Sequence, residues 1–348
     1  LSDDTRSESP RPSYVLLFEE PELYLHPRAQ RQLMAALGTF SNEHQVLVTT
    51  HSPGFFRPGT EGFARLQKTD DGVTAHPVDL TIGHRDAYQI VQHENNEAAF
   101  FAQRVVLVEG DSDTFTYPHL ARLINQDWDD IDKNIMFVKI DGKGNINRYR
   151  EFFSSFKIPI HVITDLDALV RGFEQLTRDA ETRAAHSRLM GLISERISDN
   201  SESNSKTVRS ITSRRNAREL WSAAQSHLSN WRDAPSDNVA RLLDETLSEL
   251  FDAGNGDAKL NELANPSSEE IASARDTVIS SLAEENVFVL RRGDLETYCR
   301  TDAGRDKVAT AIEFCERITN LEALRELHAE YADDVVQELQ GIFSKIYN

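Results

Sequence analysis

Three carboxylates, Glu109, Asp111 and Asp113, fall within the stretch RVVLVEGDSD, directly after the apolar run Val105 to Val108. Two more, Asp165 and Asp167, follow the run Ile160 to Thr164 in DLDA, and Asp294 and Glu296 follow Val287 to Leu290 in RRGDLETYC. If the three runs are neighbouring parallel strands, their tips emerge at one carboxyl edge, where open α/β folds place their sites. Carboxylates gathered there repel one another unless protons or cations neutralise them. Oxygen ligands without a cysteine pair or clustered histidines favour Mg²⁺ or Mn²⁺ over zinc. Each acid taken singly has a plainer reading, because acids that follow strands often cap the next helix. Asp111 or Ser112 can cap a helix starting near Thr114, and Asp165 the next one. That reading weakens for Glu109 with Asp113 four residues on and a D-x-D two strands later.

A second constellation lies upstream, in FEEPELYLHP. An apolar strand that ends in two glutamates suits nucleotide hydrolysis, with Glu19 holding Mg²⁺ and Glu20 orienting the attacking water. His51, after the strand Val46 to Thr50, can reach a γ-phosphate. The alternative is that Glu19 and Glu20 start a helix, where acids favour the positive end of the dipole, and that His51 is a turn residue. No G-x-x-x-x-G-K-S/T and no LSGG-type loop occurs, so these residues alone lack the cradle for the β and γ phosphates.

The elements that must position these residues follow from hydrophobic spacing. Residues 1–13 are polar with two prolines and read as a loop or disordered lead-in. A strand over YVLLF precedes a helix with Leu33, Ala36 and Leu37 on one face. Two short strand-like runs meet at Asp71-Gly72, a favoured hairpin turn, and a charged stretch near 84–100 reads as helical. The strands Val105 to Val108, Ile135 to Ile140 and Ile160 to Thr164 are separated by helix-length segments, as parallel strands require. The fourth, Val287 to Leu290, is delayed by a region with helical faces such as Leu189, Leu192, Ile193 and Ile197, and with a polar link, SDNSESNSKTVRS, read as flexible. The domains expected are therefore 1–100, 101–169, a helical insertion at 170–283, and 284–348.

Composition narrows the class. The chain has 348 residues, 39% hydrophobic and 27% charged, with no apolar run of membrane-spanning length. It begins with Leu1, as a fragment or trimmed product would. Cys299 and Cys315 form no CxxC pair, so a cytoplasmic setting without membrane attachment is expected. With 38 basic and 57 acidic residues the net charge is −19, which argues against nucleic-acid binding through general positive charge. The densest basic stretch, SKTVRSITSRRNAR, carries Lys206, Arg209, Arg214, Arg215 and Arg218 and reads either as a solvated helix face or as a DNA-backbone contact. Lys143 in GKGN has the same two readings, because its flanking glycines let the loop approach a backbone closely. His26, His119 and His161 show no ligand spacing and are read as structural.

Residues 14–60 resemble the Walker B, D-loop and switch-histidine segment of ABC-type ATPases of the SMC kind. Glu19 takes the Mg²⁺ position, Glu20 the catalytic base and His51 the switch. Glu109, Gly110 and Asp113, with Asp165 and Asp167, resemble the Toprim domain of topoisomerases, primases and some nucleases. The two together look like the OLD (overcoming lysogenization defect) family, whose relatives include the nuclease subunit of the Gabija anti-phage system. The fold implied is α/β: a partial ABC ATPase lobe, then a Toprim domain, a Rossmann-like parallel sheet, with a helical insertion. The glycine-containing family loop matches DGKGN, Asp141 to Asn145, and the late acid matches Glu296.

The resemblance implies a DNA endonuclease in phage defence or DNA repair, using two Mg²⁺ or Mn²⁺ ions held by Glu109, Asp113, Asp165, Asp167 and Glu296. Asp111 and Asp294 would stand further out, and Lys307 would assist at the scissile phosphate. ATP would serve the complete ATPase domain, which pairs face to face in a homo-oligomer, and a helicase-type protein is a further implied partner. Two rivals remain at this stage. One is an SMC-like clamp or regulatory DNA-binding module with structural acids. The other is a topoisomerase or primase, which needs a nucleophilic tyrosine or a zinc element in addition.

Overall fold

The computed structural model describes residues 14–52, 55, 62–69, 72–78, 90, 96–129, 133–199, 217–233, short parts of 239–247, 253–300 and 306–348. It is α/β throughout and separates into two units: residues 1–103 with 151–158, and residues 104–150 with 159–348.

In the first unit, strand β1 (Val15–Glu19) pairs in parallel with β2 (Gln45–Thr49), joined by helix α1 (Pro27–Phe40). His26 caps α1, its Nδ1 accepting from Arg28 N at 3.2 Å, and Pro27 sits at the first turn, where its missing N–H is not needed. The hairpin read from the sequence is present as β3 (Ala64–Thr69) and β4 (Gly72–Pro77), antiparallel with Thr69 opposite Gly72. Its Asp71 lies outside the described residues. The stretch read as helical near 84–100 is, in the part described last, a 3₁₀ turn over Asn96–Phe101. Phe100 of that turn meets Phe152 and Phe156 edge-on, at centroid distances of 5.6 and 5.1 Å.

The second unit is built on a four-stranded parallel sheet in the order β6-β5-β7-β8. These are β5 (Arg104–Val108), β6 (Ile135–Lys139), β7 (Ile160–Thr164) and β8 (Val287–Val289). Val105 through Val108 have no exposed surface. That full burial explains why the sequence here is a continuous apolar run and not an alternating one. Helix α2 (Asp111–Ile124) leads from β5 toward β6, and α3 (Ile146–Ser155) from β6 toward β7.

Between β7 and β8 the described chain is helical: α4 (Ala180–Asp199), α5 (Ala217–Asp233), α6 (Ala253–Ala264) and α7 (Glu269–Glu284). The two ends of this excursion meet, because Thr177 Oγ1 donates to the Glu285 carboxylate at 2.6 and 2.8 Å. A long insertion closed at its base leaves the strand order undisturbed. The polar link SDNSESNSKTVRS begins within α4 at Ser198 and Asp199, and its remainder, with Lys206 and Arg209, and Arg214 and Arg215 beyond it, lies outside the described residues. After β8 come α8 (Leu295–Cys299), α9 (Lys307–Arg317), α10 (Leu321–His328) and α11 (Ala332–Tyr347). Leu120 of α2, Phe314 of α9 and Leu339 and Phe343 of α11 close one core over Val106, Val108 and Ile163.

The histidines read as structural are so placed. His119 is buried with Nε2 at 2.7 Å from Ile318 O. His161, in β7, stacks on Phe288 at 6.1 Å, and its buried Nδ1 has no partner among the described residues. Burial pushes the His161 imidazole from its ordinary 6.5 down to about 4. An unfolded chain therefore binds a proton that the folded one refuses between those values. The stability involved is complete above about 6.5 and is lost as pH falls toward 4. We expect urea unfolding of His161→Leu to show a shallower loss of stability over that window than wild type. An identical acid limb in the two proteins would contradict the assignment.

Candidate metal centre

Backbone hydrogen bonds carry the ladder past the strand ends and so fix the tips. Ile140 N donates to Val108 O at 3.0 Å, Leu290 N to Thr164 O at 3.0 Å, and Leu166 N to Gly293 O at 2.8 Å. The last of these ties the DLDA turn to the RRGD turn. Beyond β5 and β7, Glu109, Asp165 and Asp167 each offer a carboxylate oxygen, and these atoms all lie within 4.8 Å of one another. Thr164 Oγ1 donates to Glu109 Oε1 at 2.7 Å and sets the orientation of that glutamate. Thr164 was read only as the last strand residue, and its position immediately before the D-x-D was the available signal.

The remaining acids divide by local chemistry. Asp113 sits at the third position of α2 and turns back, its Oδ2 accepting from Gly110 N at 3.0 Å and its Oδ1 from Ser112 Oγ at 3.1 Å. The helix start is thus at Asp111, not near Thr114, with Asp113 satisfying an orphan backbone donor. Asp294 caps α8 by accepting from Thr297 N at 2.9 Å and Thr297 Oγ1 at 2.6 Å. Asp111 pairs outward with Lys139 Nζ at 2.7 Å, and Lys139 also reaches Asp141 at 3.0 Å. Glu296 is ion-paired with Lys307. Asp113 and Glu296 therefore lie outside the close triad, although both contribute charge to the region.

Electrostatics show an excess of negative charge. Burial, and then the charges of Glu109, Asp113, Asp167 and Asp294, hold the Asp165 carboxyl well above the ordinary carboxylate range. Burial likewise raises Asp113, opposed by the bonds from Gly110 and Ser112 and reinforced by the charges of Glu109 and Glu296. A donor set made of carboxylate oxygen alone, converging from two strand tips and crowded enough to raise the Asp165 carboxyl, fits a hard divalent cation. The cysteine nearest this charge, Cys299, is buried, and burial pushes its thiol up, away from thiolate chemistry.

In the first unit Glu19 ends β1, while Glu20 adopts a left-handed φ of 42° and lies 3.5 Å from His51 Nε2. The buried Glu22, not singled out in the sequence, accepts a hydrogen bond from Thr50 Oγ1, which in turn accepts from Ser52 N at 2.9 Å. That network holds the turn bearing His51. Lys143, in the loop after β6, is paired with Asp167 at 2.5 Å.

A raised folded-state carboxyl makes a testable sign. The stability that protonated Asp165 contributes is complete below about 3.8 and is lost as pH rises through its elevated folded value. In chelator, thermal melts of wild type and Asp165→Asn should diverge as pH rises from 5 to 8, with the variant the more stable at the upper end. Parallel curves would show that no unneutralised charge is stored there.

Comparison with known proteins agrees with this geometry. Residues 100–167 match the model for "Overcoming lysogenization defect protein-like, TOPRIM domain", and residues 2–56 match an AAA ATPase domain model. The Old nuclease of Escherichia phage P2 is 27% identical over 175 residues, 47% of this chain and 29% of that relative. The chain thus spans less than a third of the relative's length. In order along the chain, a segment similar to an AAA ATPase domain precedes a segment similar to an OLD-like Toprim domain.

Proposed function

We propose that the second unit is the nuclease of an ATPase-coupled DNA endonuclease that depends on Mg²⁺ or Mn²⁺ and acts in phage defence or DNA repair. The observation that carries this reading is the convergence of Glu109, Asp165 and Asp167 within 4.8 Å at the carboxyl edge of the sheet. These three, with Asp113 and Glu296 adjoining, are the residues assigned to hold the ions. Divalent ions bound there supply Lewis acidity at a scissile phosphate and activation of water.

The chain's own groups do the rest. Thr164 keeps Glu109 in one rotamer through its hydroxyl. The turn Leu166–Leu169 anchors Asp167, and the bond from Leu166 N to Gly293 O keeps Asp165 at the RRGD turn. Lys307, exposed beside Glu296, offers an ammonium to charge developing on the phosphate. A topoisomerase reading is disfavoured by the tyrosines nearest the acids. Tyr117 and Tyr298 are buried, burial pushes both phenols up, and Tyr298 donates to Glu338 at 2.7 Å. The Glu20 and His51 pair supports an ATPase role for the first unit once a phosphate-binding loop completes the site. Homo-oligomers through paired ATPase heads, and a helicase-type partner, belong to the same proposal.

Incubation of supercoiled plasmid with the protein and Mn²⁺ or Mg²⁺ tests it. Nicked or linear products are expected, and Glu109→Ala should lower their rate by about 100-fold or more. A ladder of relaxed topoisomers would favour a topoisomerase, and unchanged plasmid would favour an SMC-like clamp.

A further inference from the structure

Lys143 has no evident reason to be near the acids, since a lysine between two glycines in a surface turn ordinarily extends into water. Here it does not. Asp141 and Gly142 adopt left-handed φ values of 53° and 96°, which fold the loop after β6 back toward the sheet edge. Gly142 N is then within 3.3 Å of Glu109 O, and Asn145 Nδ2 pins the turn by donating to Ile140 O at 2.8 Å. The stem of Lys143 lies against Gly172, where an added Cβ would sit 3.3 Å from both its Cγ and its Cδ. Gly172 itself has φ of 99°, so this close approach coincides with a backbone that a side chain would strain. The ammonium ends 2.5 Å from Asp167 Oδ1, with only 20% of the lysine side chain exposed.

From this seat we infer that Lys143 is a tethered competitor for the metal centre. Its ammonium neutralises Asp167 when the site is free of metal, and it must leave before that carboxylate can serve a divalent cation. The inference rests on the metal-centre reading above and adds a built-in opponent to it. Three features single out this lysine. Asp167 belongs to the close triad, whereas the partners of Lys139 are Asp111 and Asp141, and the partner of Lys307 is Glu296, none of them in the triad. The pair is partly sheltered, so water and salt screen it less than a surface pair. The loop and Gly172 both shape a place for the stem, so the contact is held from two sides.

The consequence is a site whose affinity for divalent ions is lower than its carboxylates alone would give, and whose filling frees a positive charge at the edge where a phosphate must approach. Mn²⁺ alone, titrated calorimetrically into the whole chain, tests this without any readout of cleavage. Lys143→Met should bind Mn²⁺ about tenfold more tightly than wild type. Lys143→Arg, which keeps the charge, should return to the wild-type affinity, and Lys139→Met should differ from wild type by less than about twofold. Equal tightening by Lys143→Met and Lys139→Met would reduce the effect to general electrostatics and overturn the proposal. Unchanged or weaker binding by Lys143→Met would overturn it directly. Absence of Mn²⁺ binding by both wild type and variant would sink the metal-centre reading itself, and with it this inference.

Discussion

Mutual repulsion among carboxylates at one edge of a parallel sheet is the constraint on which the rest of the second unit depends. The sheet is covered on both faces, as the full burial of Val105 through Val108 requires, so polar groups can leave it only at its ends. Strands β5 and β7 run directly into acids at the carboxyl edge, and β6 and β8 reach Asp141 and Asp294 a few residues beyond their ends. A fold that brings like charges together at this density stores energy unless something of opposite sign is supplied. The backbone bonds that continue past the strands, from Ile140 to Val108, Leu290 to Thr164 and Leu166 to Gly293, prevent the tips from relaxing apart.

Two kinds of compensation are visible without any bound ion. Burial and neighbouring charge raise the carboxyls of Asp113 and Asp165 and so favour their protonated forms. Lysines pair with four more: Lys143 with Asp167, Lys307 with Glu296, and Lys139 with Asp111 and Asp141. Both devices are reversible, which distinguishes a charge cluster kept ready for cations from one sealed as part of a core. The contrast with Glu338 is instructive. That half-buried acid accepts from Tyr298 Oη and Arg291 N, at 2.7 Å each, and so is engaged in structure.

Much of this was legible in the sequence for a simple reason. Each strand of the sheet is a largely apolar run with an acid at or within a few residues of its end, and a parallel sheet requires such runs. β8 was recognisable after a long helical excursion because VFVL runs into RRGDLE, the same pattern as the earlier tips. What the sequence could not settle was which acids face one another. Asp113 lies four residues from Glu109 and is grouped with it, and the first turn of α2 also engages its carboxylate through the N–H of Gly110, which spacing alone does not show. Asp294 is claimed by the start of α8 in the same way. The pairing of Lys143 with Asp167 spans two elements and depends on left-handed residues at 141, 142 and 172, which spacing alone does not reveal.

Anomalous scattering from a crystal grown in Mn²⁺ tests the central claim most directly. The account predicts a manganese peak in contact with the carboxylates of Glu109, Asp165 and Asp167, with Lys143 Nζ withdrawn from Asp167. A structure at saturating Mn²⁺ with no peak there, and those three side chains still facing one another, would contradict it.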